Sequence, residues 1–170
     1  MIPPRLLVAV TLVRTPLASR WATERWEAEA VELVGAAPDG SPVAPAAAAG
    51  AGERWRFSPL AVELHRSEAE GYYLNLVAPL PKAFVLLRPA EDGSPPPLAP
   101  LLVTLSYNEA ARMQDGGEQV DAVPLSPELH AWMRPFVDEH YKPEPRKKIR
   151  RNDPFADAEA RGQPRGGRWR

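Results

Sequence analysis

The chain has 170 residues, of which 44% are hydrophobic and 25% charged, and it contains no cysteine. One folded domain is expected at this length, and the lack of cysteine excludes disulfides, thiolate catalysis and cysteine-ligated metal sites. Residues 1–141 carry 11 Lys and Arg against 18 Asp and Glu, a net charge of −7, whereas residues 142–170 carry 10 against 4, a net charge of +6. An acidic body with a basic tail favours a contact with a partner, or within the chain, over a metabolic enzyme.

The apolar run Leu6–Val13 is too short to cross a bilayer, which takes about 20 residues. Arg5 alone is a poor basic region for a signal peptide, and Arg14 interrupts the run. We therefore expect a buried strand here, and a cytoplasmic protein without membrane contact.

The first two predicted elements are strands, and a loop follows them. Leu6–Arg14 is rich in β-branched residues and predicts a central strand that ends at Pro16. From Arg25 to Val34 the residues alternate, which favours a second strand over a helix. The alternation places Trp26, Ala28 and Ala30 on one face and Glu27, Glu29, Val31 and Leu33 on the other. Residues 35–53 are of low complexity and predict a flexible loop.

The next segment predicts a strand followed by a short helix. Residues 54–65 form a strand interrupted by Ser58-Pro59, with Leu60, Val62 and Leu64 facing inward and Glu63 and His65 outward. The motif from Ser67 to Glu70 has the spacing of a capping box, and predicts a helix through Leu76.

The second half of the chain predicts three more strands and two helices. Ala83–Arg88 is continuously apolar and predicts a strand buried on both faces. Strands are also predicted at Leu101–Leu105 and Glu118–Val123, with a helix between them that begins at the capping box Ser106–Glu109. The last helix begins at Ser126-Pro127. Its apolar stripe consists of Leu129, Trp132, Met133, Phe136, Val137 and His140.

These elements predict an α+β fold, with a mixed or antiparallel sheet of five to six strands and three short helices. The folded domain is expected to span residues 1–141. Residues 142–170 are expected to form a disordered basic tail, because little in them can be buried.

The sequence holds no recognisable catalytic centre, and we expect neither enzymatic activity nor a cofactor or metal. Gly116-Gly117 follows a helix, so it does not form a phosphate-binding loop. Asp138, Glu139 and His140 are adjacent and therefore point to different sides of a helix. His65 lies near Ser67, but a helix cap explains that serine better than a nucleophile does.

Two kinds of interface remain. Arg20 and Trp21, with Trp26 nearby, have the composition of an interface hot spot, or equally of a loop anchored to the core by its aromatic ring. The tail offers a second surface, which would bind nucleic acid through phosphate contacts or serve as a docking segment. Its basic residues are Arg146, Lys147, Lys148, Arg150 and Arg151.

Several short segments between residue 5 and about residue 150 share their order and spacing with a known family. They are Pro16–Ala22 with Trp26, Leu60–Arg66 with Glu70 and Tyr72 or Tyr73, Val85–Pro89, Leu102–Tyr107 with Glu109 and Ala110, and Trp132 with Phe136–Asp138. In these segments the chain resembles the proteobacterial domain-of-unknown-function family 3305, and Arg20, Trp21 and His65 occupy motif positions. Members often carry a phenylalanine before the basic run, where this chain has Pro143–Arg146.

Members of that family are encoded near molybdenum- or tungsten-dependent formate dehydrogenases. The resemblance therefore implies an accessory role, with a formate dehydrogenase subunit or a maturation factor as the protein partner. It implies no catalytic residues.

Overall fold

The computed structural model describes residues 5–36, 46–49, 54–91, 93 and 96–143. Seven strands, three α-helices and one 3-10 turn at Arg66–Glu68 make up this part of the chain. The strands are β1 (Arg5–Pro16), β2 (Glu24–Ala36), β3 (Ala46–Ala49), β4 (Arg54–Glu63), β5 (Lys82–Pro89), β6 (Leu98–Thr104) and β7 (Gln119–Pro124). The helices are α1 (Ala69–Leu76), α2 (Tyr107–Asp115) and α3 (Pro127–His140).

The predicted α+β class is confirmed, and the pairing between neighbouring strands is antiparallel. Six strands of at least six residues and three α-helices match the predicted number of elements. The four-residue strand β3 is an addition, since it falls within the predicted loop 35–53. Residues 37–45 and 50–53 of that loop, and the tail from residue 144, lie outside the described residues.

The strands form two sheets, with orders β2-β1-β4-β3 and β6-β5-β7. β1 and β5 are interior strands of their sheets, as their apolar runs predict, and Ala83 to Leu87 of β5 are all buried. The two sheets approach each other at two places, where β2 lies beside β7 and β4 beside β6. One cluster of buried side chains joins both sheets to α1 and α3; it includes Val8, Tyr72, Val85 and Leu129.

A β-bulge in β2 corrects the predicted assignment of faces. Leu12 lies opposite Ala28 and Thr11 opposite Ala30, so Glu29 is the extra residue. The extra residue reverses the alternation: Trp26 and Ala28 pack against the core before the bulge, and Val31, which is 3% exposed, is buried after it. The prediction that Ala30 shares the face of Trp26, with Val31 on the opposite face, is wrong.

The two predicted capping boxes have different outcomes. Ser106 caps α2, because its hydroxyl accepts a hydrogen bond from the Glu109 amide at 3.1 Å. Ser67 does not cap α1: it lies in the 3-10 turn, and the helix begins one residue after Glu68 without a side-chain cap. The Glu68 carboxylate instead accepts hydrogen bonds from Ser106 and Arg112, both at 2.6 Å.

The last helix is confirmed. Ser126 accepts a hydrogen bond from the Leu129 amide at 3.3 Å, and Pro127 occupies the first turn, where its missing N–H costs nothing. The predicted apolar stripe is the buried face of α3, although Phe136 and His140 are only partly buried. Over the described residues, none of the helices is long and apolar enough to cross a membrane.

Candidate functional site

The tip of the β1–β2 hairpin presents a tryptophan to solvent. Trp21 is 92% exposed, and Arg20 beside it is exposed too. The loop is closed by a hydrogen bond from the Leu17 amide to the Thr23 carbonyl at 3.0 Å, and the Trp21 amide donates to the Ser19 hydroxyl at 3.2 Å. A short connection with these contacts holds the indole away from the core.

Trp26 has a different environment at the base of the same hairpin. Its ring packs against the core, and its indole N–H donates to Glu24 at 2.9 Å. Glu24 also forms an ion pair at 3.3 Å with Arg14, the residue of β1 that lies opposite Trp26. Anchoring to the core therefore describes Trp26, whereas Trp21 has the exposure that an interface residue needs before its partner binds.

A concave feature, which we call the seam groove, lies where β4 approaches β6. Its volume is about 270 Å³, and its lining residues are Ala61, Glu63, His65, Leu102, Val103, Thr104 and Glu109. The strand alternation that turns Glu63 and His65 outward places both at this groove. Glu63 lies between Arg5, at 3.2 Å, and the His65 imidazole, at 3.7 Å.

The opposite wall of the seam groove is a hydrogen-bonded turn between β6 and α2. The Thr104 hydroxyl donates to the Glu109 carboxylate and accepts from the Ser106 amide at 3.1 Å. Glu109 lies in the first turn of α2, where the helix dipole favours a negative charge. This wall therefore holds a carboxylate in a fixed position.

Tyr72 lies behind the seam groove and accepts a hydrogen bond from the His65 amide at 3.1 Å. Burial raises the pKa of its hydroxyl to about 12, and the charges of Glu109 and Glu68 act in the same direction. Tyr72 is therefore a neutral phenol that fixes the end of β4, because a phenolate would be poorly solvated here.

The groove brings a histidine, two carboxylates and a hydroxyl together. His65 contacts Glu63, and the buried Thr104 hydroxyl donates a hydrogen bond to Glu109 and not to the imidazole. Within the described ranges, no group of three or more His, Asp or Glu side chains could hold a metal ion.

The sequence-predicted site residues do not form one site. The hairpin tip follows the C-terminal end of β1, whereas Arg5, at its N-terminal end, pairs with Glu63 beside the seam groove. A twelve-residue strand spans roughly 40 Å, so Arg20 and Trp21 lie far from His65. The predicted basic residues Arg146 to Arg151 lie outside the described residues.

Sequence reasoning missed the residues of the groove wall opposite His65. The outward position of Glu63 follows from the alternation of β4, but Thr104 and Glu109 reach the groove only because β6 packs beside β4. Glu109 was assigned to a capping box, and its carboxylate contacts Thr104 instead. No local pattern in the sequence signals that contact.

Arginines and glutamates form ion pairs across the strands of the β2-β1-β4-β3 sheet. Arg54 contacts Glu29 through two hydrogen bonds, at 2.6 and 2.7 Å, and Arg56 contacts Glu32 at 2.6 Å. The hydrogen bond from Arg54 lowers the pKa of Glu29 below its ordinary value. These arginines are therefore already matched to carboxylates.

The comparisons with known proteins give a family and no activity. A family profile described as a protein of unknown function, DUF3305, matches residues 7–150. No curated protein and no solved structure matches the chain at a significant level. The matched range includes both the hairpin tip and the seam groove. The chain therefore belongs to the DUF3305 family.

Proposed function

We propose that this chain is a non-enzymatic interaction protein whose hairpin tip, residues 17–23, inserts Trp21 into a protein partner. The observation that carries the proposal is the 92% exposure of this tryptophan at the end of a paired hairpin. Arg20, also exposed, adds a cation next to the ring.

A tryptophan held in water is an unusual use of the largest apolar side chain. Aromatic side chains bury roughly 150–250 Å² when they are covered, and Trp and Arg are enriched among interface residues that dominate affinity. The hairpin below the tip is fixed by the Trp26–Glu24 hydrogen bond and the β1–β2 pairing. A rigid support lowers the entropy cost of binding at the tip.

The proposed partner is a subunit of a molybdenum- or tungsten-dependent formate dehydrogenase, or a factor that matures it. The genomic setting of the family that the sequence resembles supports this choice.

The test is affinity capture from the native host grown under conditions that induce formate dehydrogenase. The full-length chain is compared with W21A and with L80A, a matched loss of an apolar side chain that is 72% exposed elsewhere. The proposal expects the wild-type chain and L80A to recover formate dehydrogenase or cofactor-insertion proteins, and W21A to lose them. Equal recovery of these proteins by W21A and by the wild type would show that the hairpin tip is not part of the interface.

Nucleic-acid binding through the basic tail is the alternative. Ion pairing of Arg54 and Arg56 with glutamates argues against an additional phosphate-binding surface on the sheet. The same affinity-capture experiment tests this alternative. If the chain recovers only nucleic acid, and added salt abolishes that recovery, the result favours the alternative and contradicts the protein-partner proposal.

A further inference from the structure

The seam groove has the dimensions of a site for one side chain. Its volume, about 270 Å³, falls below the range of roughly 300–1,000 Å³ that drug-sized ligands and cofactors occupy. The groove is open to solvent along the line where β4 and β6 approach each other, so a side chain can enter from a second protein.

The walls of the groove differ in chemistry. Ala61, Leu102 and Val103 provide an apolar surface, and Glu63 and Glu109 provide carboxylates. Lysine and arginine side chains combine an aliphatic stem with a cationic end, and they bury the stem while the charge is paired. The groove matches that combination of properties.

Charge also favours a cationic occupant. Glu63 is shared between Arg5 and His65. Glu109 accepts a hydrogen bond from the neutral Thr104 hydroxyl. Among the ion pairs of the described residues, none joins Glu109 to a lysine or arginine. An incoming cation would meet a carboxylate that is already oriented, which makes a charge-assisted hydrogen bond strong.

We infer that the seam groove binds the side chain of a lysine or arginine presented by the protein partner, with the cation between Glu63 and Glu109. The inference rests on the proposed function for the identity of the partner. The groove is a second contact, because it lies at the opposite end of β1 from Trp21.

The experiment titrates the full-length chain with N-acetyl-arginine methylamide and follows the backbone amides by NMR. A parallel titration uses N-acetyl-citrulline methylamide, which has nearly the same shape without the charge. The expected result is a shift of amides from Ala61 to His65 and from Leu102 to Thr104, with a Kd on the order of millimolar. The citrulline compound is expected to bind at least about tenfold more weakly.

Substitutions localise the contact. E109Q keeps an oxygen that accepts from Thr104 but removes the charge, and is expected to weaken arginine binding about tenfold. E63Q is a second variant with the same expectation, and E128Q, at an exposed position of α3, is expected to leave the affinity unchanged. Equal binding of the citrulline compound, or unchanged affinity in both E109Q and E63Q, would overturn the inference.

The chain's own basic tail is the other occupant to test. A full-length variant with serines replacing the basic residues of 146–151 is compared with the wild type in the absence of ligand. Unchanged groove amides support an external side chain; displaced groove amides assign the groove to the tail and overturn the partner assignment. W21A is expected to bind the arginine compound normally, so loss of the hairpin contact and loss of the groove contact are distinguishable.

Discussion

The Asp121 carboxylate, on β7, accepts a hydrogen bond from the main-chain N–H of Ala28, on β2, at 2.8 Å. Both strands are edges of their sheets. Ala28 precedes the bulge at Glu29, where the regular pairing with β1 changes register. A side chain from one sheet thus satisfies a main-chain donor at the edge of the other, and the edge of β2 is covered where an unpaired donor would otherwise be exposed.

Replacing Asp121 tests this link between the sheets. D121A is expected to lower the free energy of unfolding by about 1–2 kcal/mol, because the part-buried Ala28 N–H loses its acceptor. D121N is expected to cost less, since an amide oxygen still accepts. Urea denaturation measures both, with D115A, at an exposed position, as the control. Unchanged hydrogen exchange of the Ala28 amide in D121A would show that the contact does not protect this edge.

Asn75 is expected to be the most sensitive polar position of α1. It is 1% exposed; its amide group donates to the Lys82 and Leu105 carbonyls and accepts from the Lys82 amide. N75A should destabilise the fold by roughly 3 kcal/mol, because three main-chain groups lose a partner. L74A, one residue earlier and partly exposed, is the control. Similar urea midpoints for the two variants would contradict this role.

Gly71 allows α1 to approach the start of α2. A Cβ atom at this position would overlap the Ser106 hydroxyl, which itself donates a hydrogen bond to Glu68 and caps α2. G71A is expected to cost about 1–3 kcal/mol through overpacking. G35A, where a Cβ meets nothing within 4 Å, is the matched control. Equal thermal stability of the two variants would mean that the helices separate without cost.

The pKa of Tyr72 gives the fold a dependence on alkaline pH. Burial raises this pKa from 10 to about 12, so the unfolded chain loses the phenolic proton first as the pH rises. The contribution of the protonated Tyr72 hydroxyl to the free energy of unfolding is complete below pH 10 and is lost between pH 10 and 12. The stability difference between wild type and Y72F should therefore shrink over that interval, whereas Y107F, at an exposed tyrosine, should track the wild type. A constant difference between wild type and Y72F would contradict the raised pKa.

Local sequence signals predicted the elements and failed where distant contacts decide the outcome. Ser126 with Pro127 and a 3.6-residue stripe identified α3, because the cap and the apolar face lie within one segment. The serine-to-glutamate spacing from Ser67 to Glu70 misled, since the neighbouring Glu68 instead accepts hydrogen bonds from Ser106 and Arg112, in another part of the chain. The bulge at Glu29 escaped prediction for a similar reason, as register depends on the partner strand.

The candidate sites divide in the same way. Composition alone selected Arg20, Trp21 and Trp26 as interface candidates. Only the structure distinguishes the exposed ring of Trp21 from the ring of Trp26, which packs against the core. His65 was predicted to face outward, and it does. Its groove could not be predicted, because Thr104 and Glu109 join it only through the packing of β6, in one sheet, beside β4, in the other.

The most direct test of the central claim is the affinity of the purified full-length chain for purified formate dehydrogenase, measured by calorimetry for the wild type, W21A and L80A. Trp21 is exposed, so W21A should change the stability of the free chain by no more than about 0.5 kcal/mol. The account predicts a Kd at least about 30-fold weaker for W21A and unchanged for L80A. Binding by W21A as tight as that of the wild type would contradict it, and no binding by the wild type would exclude formate dehydrogenase itself as the partner.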